Sequence, residues 1–341
     1  MTQSAPKPAK WWKASGDTIE CLLCPRNCHI AHGREGYCHT RKNIDGKLFQ
    51  MTYGLCSALA VDPVEKKPLY HFKPGSSVMS MGTVGCNLGC LFCQNCDISR
   101  ARVGDIRMTP ISPQDIVDAA VSHKCSSVAV TYNEPIVFAE FAMDIADAAH
   151  AANLSAVAVS NGYITPLARN EFFTHFDAIN VDIKAFTDTF YMELCDAHLT
   201  PILDNIEYLV HKTDALVELT TLLIPGANDS QDEVRSCAKW IYRQCGPFTP
   251  WHLTAFRPCY KLIDRPPTSL ETLTRSREIA LEEGLKFVYT GNAVDLQGST
   301  TFCPSCGKPV IRRDIFQVTM QAGSGMICKF CGCDLSEYFI L

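Results

Sequence analysis

The 341-residue sequence has no apolar run of the roughly 18–20 residues that a membrane-spanning helix needs. Its first stretch, Met1 to Lys13, carries Pro, Lys and two Trp but no apolar core of the kind a signal peptide uses. No block of sequence is duplicated and no segment is of low complexity, which argues against a repeat architecture. Positive charge is not in excess: 31 Lys and Arg stand against 36 Asp and Glu, so no overall field draws nucleic acid. These absences set the expectation of a cytoplasmic protein with no membrane and no nucleic-acid partner.

Cysteine, by contrast, is abundant. There are 19, an odd number, so they cannot all be paired in disulfides. Most fall in tight clusters, and in a reducing compartment clustered cysteines read as metal ligands. Residues 1–16, with Pro6, Lys7, Pro8 and Lys10, have the composition of a solvated tail.

From residue 77 onward, strand-like and helix-like patterns alternate. Val78–Thr83, Ser127–Thr131, Ala156–Ser160, Ala178–Ile183, Leu216–Leu223, His252–Phe256 and Lys286–Thr290 are β-like runs. Between them lie helical patterns at Ser112–His123, Pro135–Ala152, Pro166–Phe173, 187–195, 201–212, Gln231–Gln244 and Leu270–Glu283. Ser112 followed by Pro113 is a helix start, and Val137, Phe141, Ile145 and Ala148 form one apolar stripe. Strand–helix units of this length imply parallel βαβ connections. About six units predict an α/β fold with a partial (β/α)6-type barrel; a doubly wound open sheet is the competing architecture. The expected division is an N-terminal extension at 1–76, a barrel core at 77–298, and a small C-terminal module at 299–341.

Three cysteine sites stand out. The first is Cys21-x2-Cys24-x3-Cys28-x9-Cys38, four thiols on a short Gly-containing segment, which suit zinc or a second iron–sulfur cluster. The second is Cys86-x3-Cys90-x2-Cys93, directly after the first β-like run of the barrel. Three thiolates fill three irons of a cubane and leave the fourth open, and an open metal position binds and activates small molecules. Cys96 has the wrong spacing to share that role. The third is Cys303-x2-Cys306-x21-Cys328-x2-Cys331, two knuckles with the spacing of a zinc ribbon.

The second site, with Phe92 before its third cysteine, resembles the radical S-adenosylmethionine (SAM) superfamily. Further matches fall at strand ends: Asn133-Glu134 where the family carries a Gly-Gly-Glu-like motif, Ser160-Asn161-Gly162, Asp182-Ile183-Lys184, and Phe256-Arg257-Pro258. Tyr132-Asn133 departs from the family's glycines. Cys21-x2-Cys24-Pro25-x2-Cys28, the run Asp62-Pro63-Val64-Glu65-Lys66-Lys67-Pro68-Leu69-Tyr70-His71-Phe72 and the cysteine-rich tail make the chain most similar to the radical SAM protein of the AmmeMemoRadiSam system, a relative of pyruvate formate-lyase activating enzymes.

The resemblance implies a [4Fe–4S] cluster on Cys86, Cys90 and Cys93, with SAM contacted by Phe92, Asn133, Glu134, Ser160, Asn161, Asp182, Lys184 and Arg257. It implies reductive cleavage of SAM and hydrogen abstraction from a protein glycine or a metabolite. A flavodoxin- or ferredoxin-like electron donor and Memo-like system partners would follow. His252 and Tyr289 lie at late strand ends, and Cys195 and Cys259 are further thiols near the expected site. The competing class is a non-enzymatic iron–sulfur carrier or metal-binding adaptor.

Overall fold

The computed structural model describes residues 6–341. An eight-stranded sheet runs in chain order without reversal: β1 (Ala58–Pro63), β2 (Ser77–Gly82), β3 (Ser127–Val130), β4 (Ser155–Ser160), β5 (Ala178–Asp182), β6 (Leu216–Leu223), β7 (Trp251–Ala255) and β8 (Val288–Gly291). β2 to β8 are all parallel, and β1 pairs antiparallel with β2. Because the strand order never reverses, the sheet is singly wound, and the doubly wound alternative falls. β8 and β1 are not partners, so the barrel is partial.

Six helices make the crossovers: α1 (Pro113–Ser122), α2 (Ala139–Ala151), α3 (Pro166–Phe172), α4 (Thr200–Lys212), α5 (Gln231–Gln244) and α6 (Leu270–Glu282). Strands such as β3 are buried at every residue, as apolar runs covered on both faces must be. α1 starts on a capping box: Ser112 Oγ accepts from the Asp115 N–H at 3.1 Å, and the Asp115 carboxylate accepts from the Ser112 N–H at 2.9 Å. α2 buries Phe141, Met143, Ile145 and four alanines, small side chains that let the helix lie close on the sheet. The stripe begins as a separate turn, Pro135–Phe138 being 3-10 helix. There Glu134 accepts from the Ile136 N–H, and Pro135 suits the first position.

Three expectations are corrected. The segment before residue 77 is more than an extension, because it supplies the edge strand β1. Lys7–Pro8 and Trp12–Ser15 are not a solvated tail: they pair with Phe49–Gln50 and Thr18–Cys21, and the Lys10 N–H donates to Glu140 at 2.7 Å. Residues 1–5 lie outside the described residues. The run at 187–195 is a single α-turn, Asp188–Phe190, passing into a π-helix, Tyr191–Cys195, that ends on left-handed Asp196. Such π segments re-aim side chains and cluster at functional sites.

The C-terminal module has its own small core around Cys303, Val310, Met326 and Leu335. It is also bolted to the barrel. Fully buried Arg313 donates to the Tyr70 carbonyl after β1 (2.7 Å) and faces Glu65 at 3.7 Å, and Thr301 of the module meets the Tyr289 hydroxyl of β8 at 2.9 Å. Ile340 joins His71 and Lys73 through backbone hydrogen bonds. The module therefore spans the seam that the sheet leaves open.

Candidate active site at the thiol-lined cavity

A cavity of about 310 Å³ opens at the C-terminal ends of the parallel strands, where β/α barrels place their chemistry. Cys86, Cys90 and Cys93 line it together with Phe92, Asn133, Glu134, Asn161, Asp182 and Lys184. The loop that carries the cysteines follows β2 and is held on every side. The Gly89 and Leu91 N–H groups donate to the Cys195 and Leu194 carbonyls at 2.8 and 2.9 Å, so the π-helix backs the loop. The Leu88 N–H donates to Cys86 Sγ at 3.3 Å. Gly85 has φ +89°, and a side chain there would collide with the Cys38 carbonyl and Thr40.

Each polar neighbour has a definable task. Asn133 spends its amide on the loop: Nδ2 donates to Thr83 Oγ1 and to the Val84 and Gly85 carbonyls (2.9–3.1 Å), and Oδ1 accepts from the Thr83 N–H at 2.8 Å. It is a loop clamp rather than a free cofactor contact. Tyr132, which stands where the family has glycine, takes φ +70°. A bulky residue resists that conformation. It is held there by its hydroxyl on Asp62 (2.7 Å), with the Lys67 ammonium over its ring.

Glu134 accepts from Ser160 Oγ (2.7 Å) and from the Asn161 N–H (2.8 Å). Burial pushes its carboxyl up to about 7, against the pull of those donors. Ser160 does not line the cavity, since its hydroxyl is committed to Glu134. Asn161 Nδ2 donates to Asn87 Oδ1 at 2.9 Å and lies 3.7 Å from Cys86 Sγ.

Asp182 and Lys184 pair at 2.7 Å on the cavity wall. Burial favours a neutral Lys184, but the Asp182 carboxylate outweighs it and holds the ammonium above its ordinary value. The Cys90 thiol is pushed well up, first by its contact with Cys195 and then by burial. Burial and the Glu134 charge do the same to Cys86. Wall groups of both charge signs and neutral amides thus face three sulfurs.

Arg257 is exposed and lines a second cavity, about 290 Å³, that adjoins the first along Lys66, Pro68, Thr254 and Asn292. His252 also faces that second cavity, and its Nε2–H donates to buried Glu218 at 2.7 Å. Tyr289 is sealed beneath it, between His71 Nε2 (2.7 Å) and Thr301 (2.9 Å). Cys259 lies beside the loop, its sulfur 3.5 Å from the Cys93 carbonyl oxygen. Cys96 opens a four-residue helix, Cys96–Ser99, and does not line the cavity.

The residues that sequence reasoning left without a task are in the Asp62–Phe72 run. Asp62 gathers Lys66 (2.8 Å), Lys67 (2.6 Å) and Tyr132, and these donors hold its carboxyl well below the usual range despite burial. Lys66 reaches both cavities. The signal was a dense set of charges between two prolines with neither helical nor alternating period.

The C-terminal cysteines draw into a cage. Cys303 Sγ lies 3.7 Å from Cys331 Sγ, and Cys306 Sγ 3.7 Å from Cys328 Sγ. All four sulfurs lie within 4.8 Å of one another, the one such group among the described residues. Gly307 and Gly332, each directly after a cysteine pair, take φ of +69° and +75° so that the backbone can fold around it.

Singly wound strands ending on a thiol-lined polar cavity define the class: a partial β/α barrel built to hold a metal centre beside a small polar molecule. The chain belongs to the radical SAM superfamily, whose model matches residues 81–238. An uncharacterised protein of Methanocaldococcus jannaschii is 39% identical over 325 residues, covering 94% of this chain and 96% of that one. The pyruvate formate-lyase-activating enzyme of Listeria monocytogenes is 27% identical over 191 residues, 48% of this chain and 74% of that enzyme. Among solved structures, a radical SAM methyltransferase from Sphaerobacter thermophilus shares the fold with a TM-score of 0.52, at 17% identity over 89% of this chain and 81% of that one. Membership implies a [4Fe–4S] cluster and SAM. No helix among the described residues is long and apolar enough to cross a membrane.

Proposed function

We propose that the chain is a SAM-cleaving enzyme whose cluster is held by Cys86, Cys90 and Cys93. The observation that carries this is the meeting of exactly three loop thiols with an Asp182–Lys184 pair in one cavity. The donor set suits the group: three thiolates leave one iron open, and sulfur is its usual ligand. When bound, the cluster and SAM supply one electron and a 5′-deoxyadenosyl group that takes a hydrogen atom from a substrate carbon.

The protein's own residues do the positioning. Asp182 and Lys184 offer a carboxylate and an ammonium to the amino and carboxylate groups of SAM. Glu134, Ser160 and the Asn161 N–H hold the β4 end in place, and Asn161 turns its amide toward Cys86. Phe92 closes the apolar side of the loop against Phe190, ring centroids 5.7 Å apart. The adjoining cavity is the place for the substrate. Lys66 and Arg257 share its wall with Glu65 and Asp295, so groups of both charge signs are available to a polar substrate there. The relation to pyruvate formate-lyase activating enzymes supports a protein glycine as one hydrogen donor, and the enclosed volume supports a metabolite as the other. The electron would come from a flavodoxin- or ferredoxin-like donor. The C-terminal cage suits one tetrahedral ion, zinc, by its sulfur spacing.

Anaerobic reconstitution with iron and sulfide, followed by dithionite and SAM, tests the reading. It should yield methionine and 5′-deoxyadenosine. No product from a fully loaded site would overturn it, and would favour the carrier class.

A further inference from the structure

Behind the cysteine loop lies a third, smaller cavity. Cys21, Cys24, Cys28 and Cys38 line it, with Arg41 and Asn87. Cys21 ends the strand Thr18–Cys21, and Cys38 approaches the loop so closely that only glycine fits at position 85. Four thiols around one small space are a metal site, and zinc and an iron–sulfur cluster are its two candidate occupants.

Sulfur spacing separates them. In a tetrahedral zinc site with Zn–S of about 2.3 Å, the thiolates stand roughly 3.8 Å apart. The C-terminal quartet has that spacing, with two sulfur pairs at 3.7 Å. The N-terminal quartet surrounds one cavity, yet no three of its sulfurs lie within 4.8 Å of one another. The same is true of Cys86, Cys90 and Cys93. A cubane keeps its thiolates apart because each bonds a different iron.

Arg41 shares that lining with the four thiols. It is 1% exposed. One of its terminal nitrogens holds the Glu140 carboxylate at 2.7 and 2.9 Å, and the other donates to the Lys10 carbonyl at 3.0 Å. Its Nε–H has no acceptor. A buried donor without a partner is costly, and a metal-bound sulfur would satisfy it.

We propose that Cys21, Cys24, Cys28 and Cys38 hold a second [4Fe–4S] cluster, directly behind the Cys86 loop. The proposal stands apart from the SAM reading, because its test deletes that site. In the full chain carrying Cys86→Ala, Cys90→Ala and Cys93→Ala, anaerobic reconstitution should leave about four irons and four sulfides per chain. Reduction with dithionite should give an EPR signal that Cys24→Ser added to the same background removes. A triple variant without iron, holding a second zinc that Cys24→Ser releases, would overturn the proposal. If the triple variant does not fold, the wild-type count decides: about eight irons per chain support two clusters, and about four with two zinc ions overturn the second.

Discussion

The loop of Cys86, Cys90 and Cys93 and the quartet of Cys303, Cys306, Cys328 and Cys331 are both thiols on glycine-bent backbone, but they are arranged for opposite ends. The loop spreads its sulfurs around a polar cavity at the strand ends, with charged side chains facing them. The quartet pulls its sulfurs together on two turns, among apolar neighbours and next to the residues that close the barrel. Thiol spacing separates a site whose sulfurs stand apart around a space from one whose sulfurs close on each other. The difference comes from the scaffold. A βα loop braced by a π-helix keeps sulfurs apart, while two facing knuckles bring them together.

The comparison is broken or sharpened by experiment, beginning with the largest effect. Cys86→Ala should abolish 5′-deoxyadenosine formation while leaving the melting temperature nearly unchanged; retained product would end the assignment of chemistry to the loop. Arg313→Leu leaves Glu65 buried without its cation and should cost about 3–5 kcal/mol, read as a lower denaturation midpoint. Cys328→Ser should release the ion of the quartet and lower the melting temperature by roughly 5–10 °C, with the iron content of the chain unchanged. Lys184→Met should weaken SAM binding by roughly 10–100-fold in calorimetry on protein of unchanged iron content.

The seam also carries a pH dependence. Burial lowers the His71 pKa to about 4 from an ordinary value near 6.5, so the unfolded chain takes up this proton first as pH falls. The stability it contributes is intact above about pH 6.5 and is lost as pH drops toward 4, amounting to about 2 kcal/mol between pH 7 and pH 5. His71→Asn should start less stable at pH 7 and show a flatter fall; an equal slope in both proteins would remove His71 from the account.

Much of this architecture was legible in the sequence, because the βαβ units announce themselves by period and by caps such as Ser112. β1 was not. Leu59 and Val61 point to solvent, so the strand shows no buried face to read. The strands near the N-terminus are two to four residues long and lie among cysteines and glycines, where pattern is lost. At the site, the loop thiols and the Asp182–Lys184 pair were readable from spacing and strand-end position. The hydrogen-bond partners of Asn133 and Ser160 were not, since they lie 50 and 26 residues away. Arg257 sits at a strand end as expected, but it faces the neighbouring cavity, because which cavity an exposed side chain joins is set by loop course rather than by residue type.

The clasp over the open seam has a consequence for how the molecule is assembled. Tyr70 and Arg313 are separated by 243 residues, and His71 and Tyr338 by 267. Contacts that distant form late, because a long stretch of chain must be ordered before they close. β1 itself pairs with the neighbouring β2, but the segment that follows it waits, through Tyr70 and His71, for chain that leaves the ribosome more than two hundred residues later. Until Ile340 is available the partial barrel remains an open sheet whose clasp is unfastened.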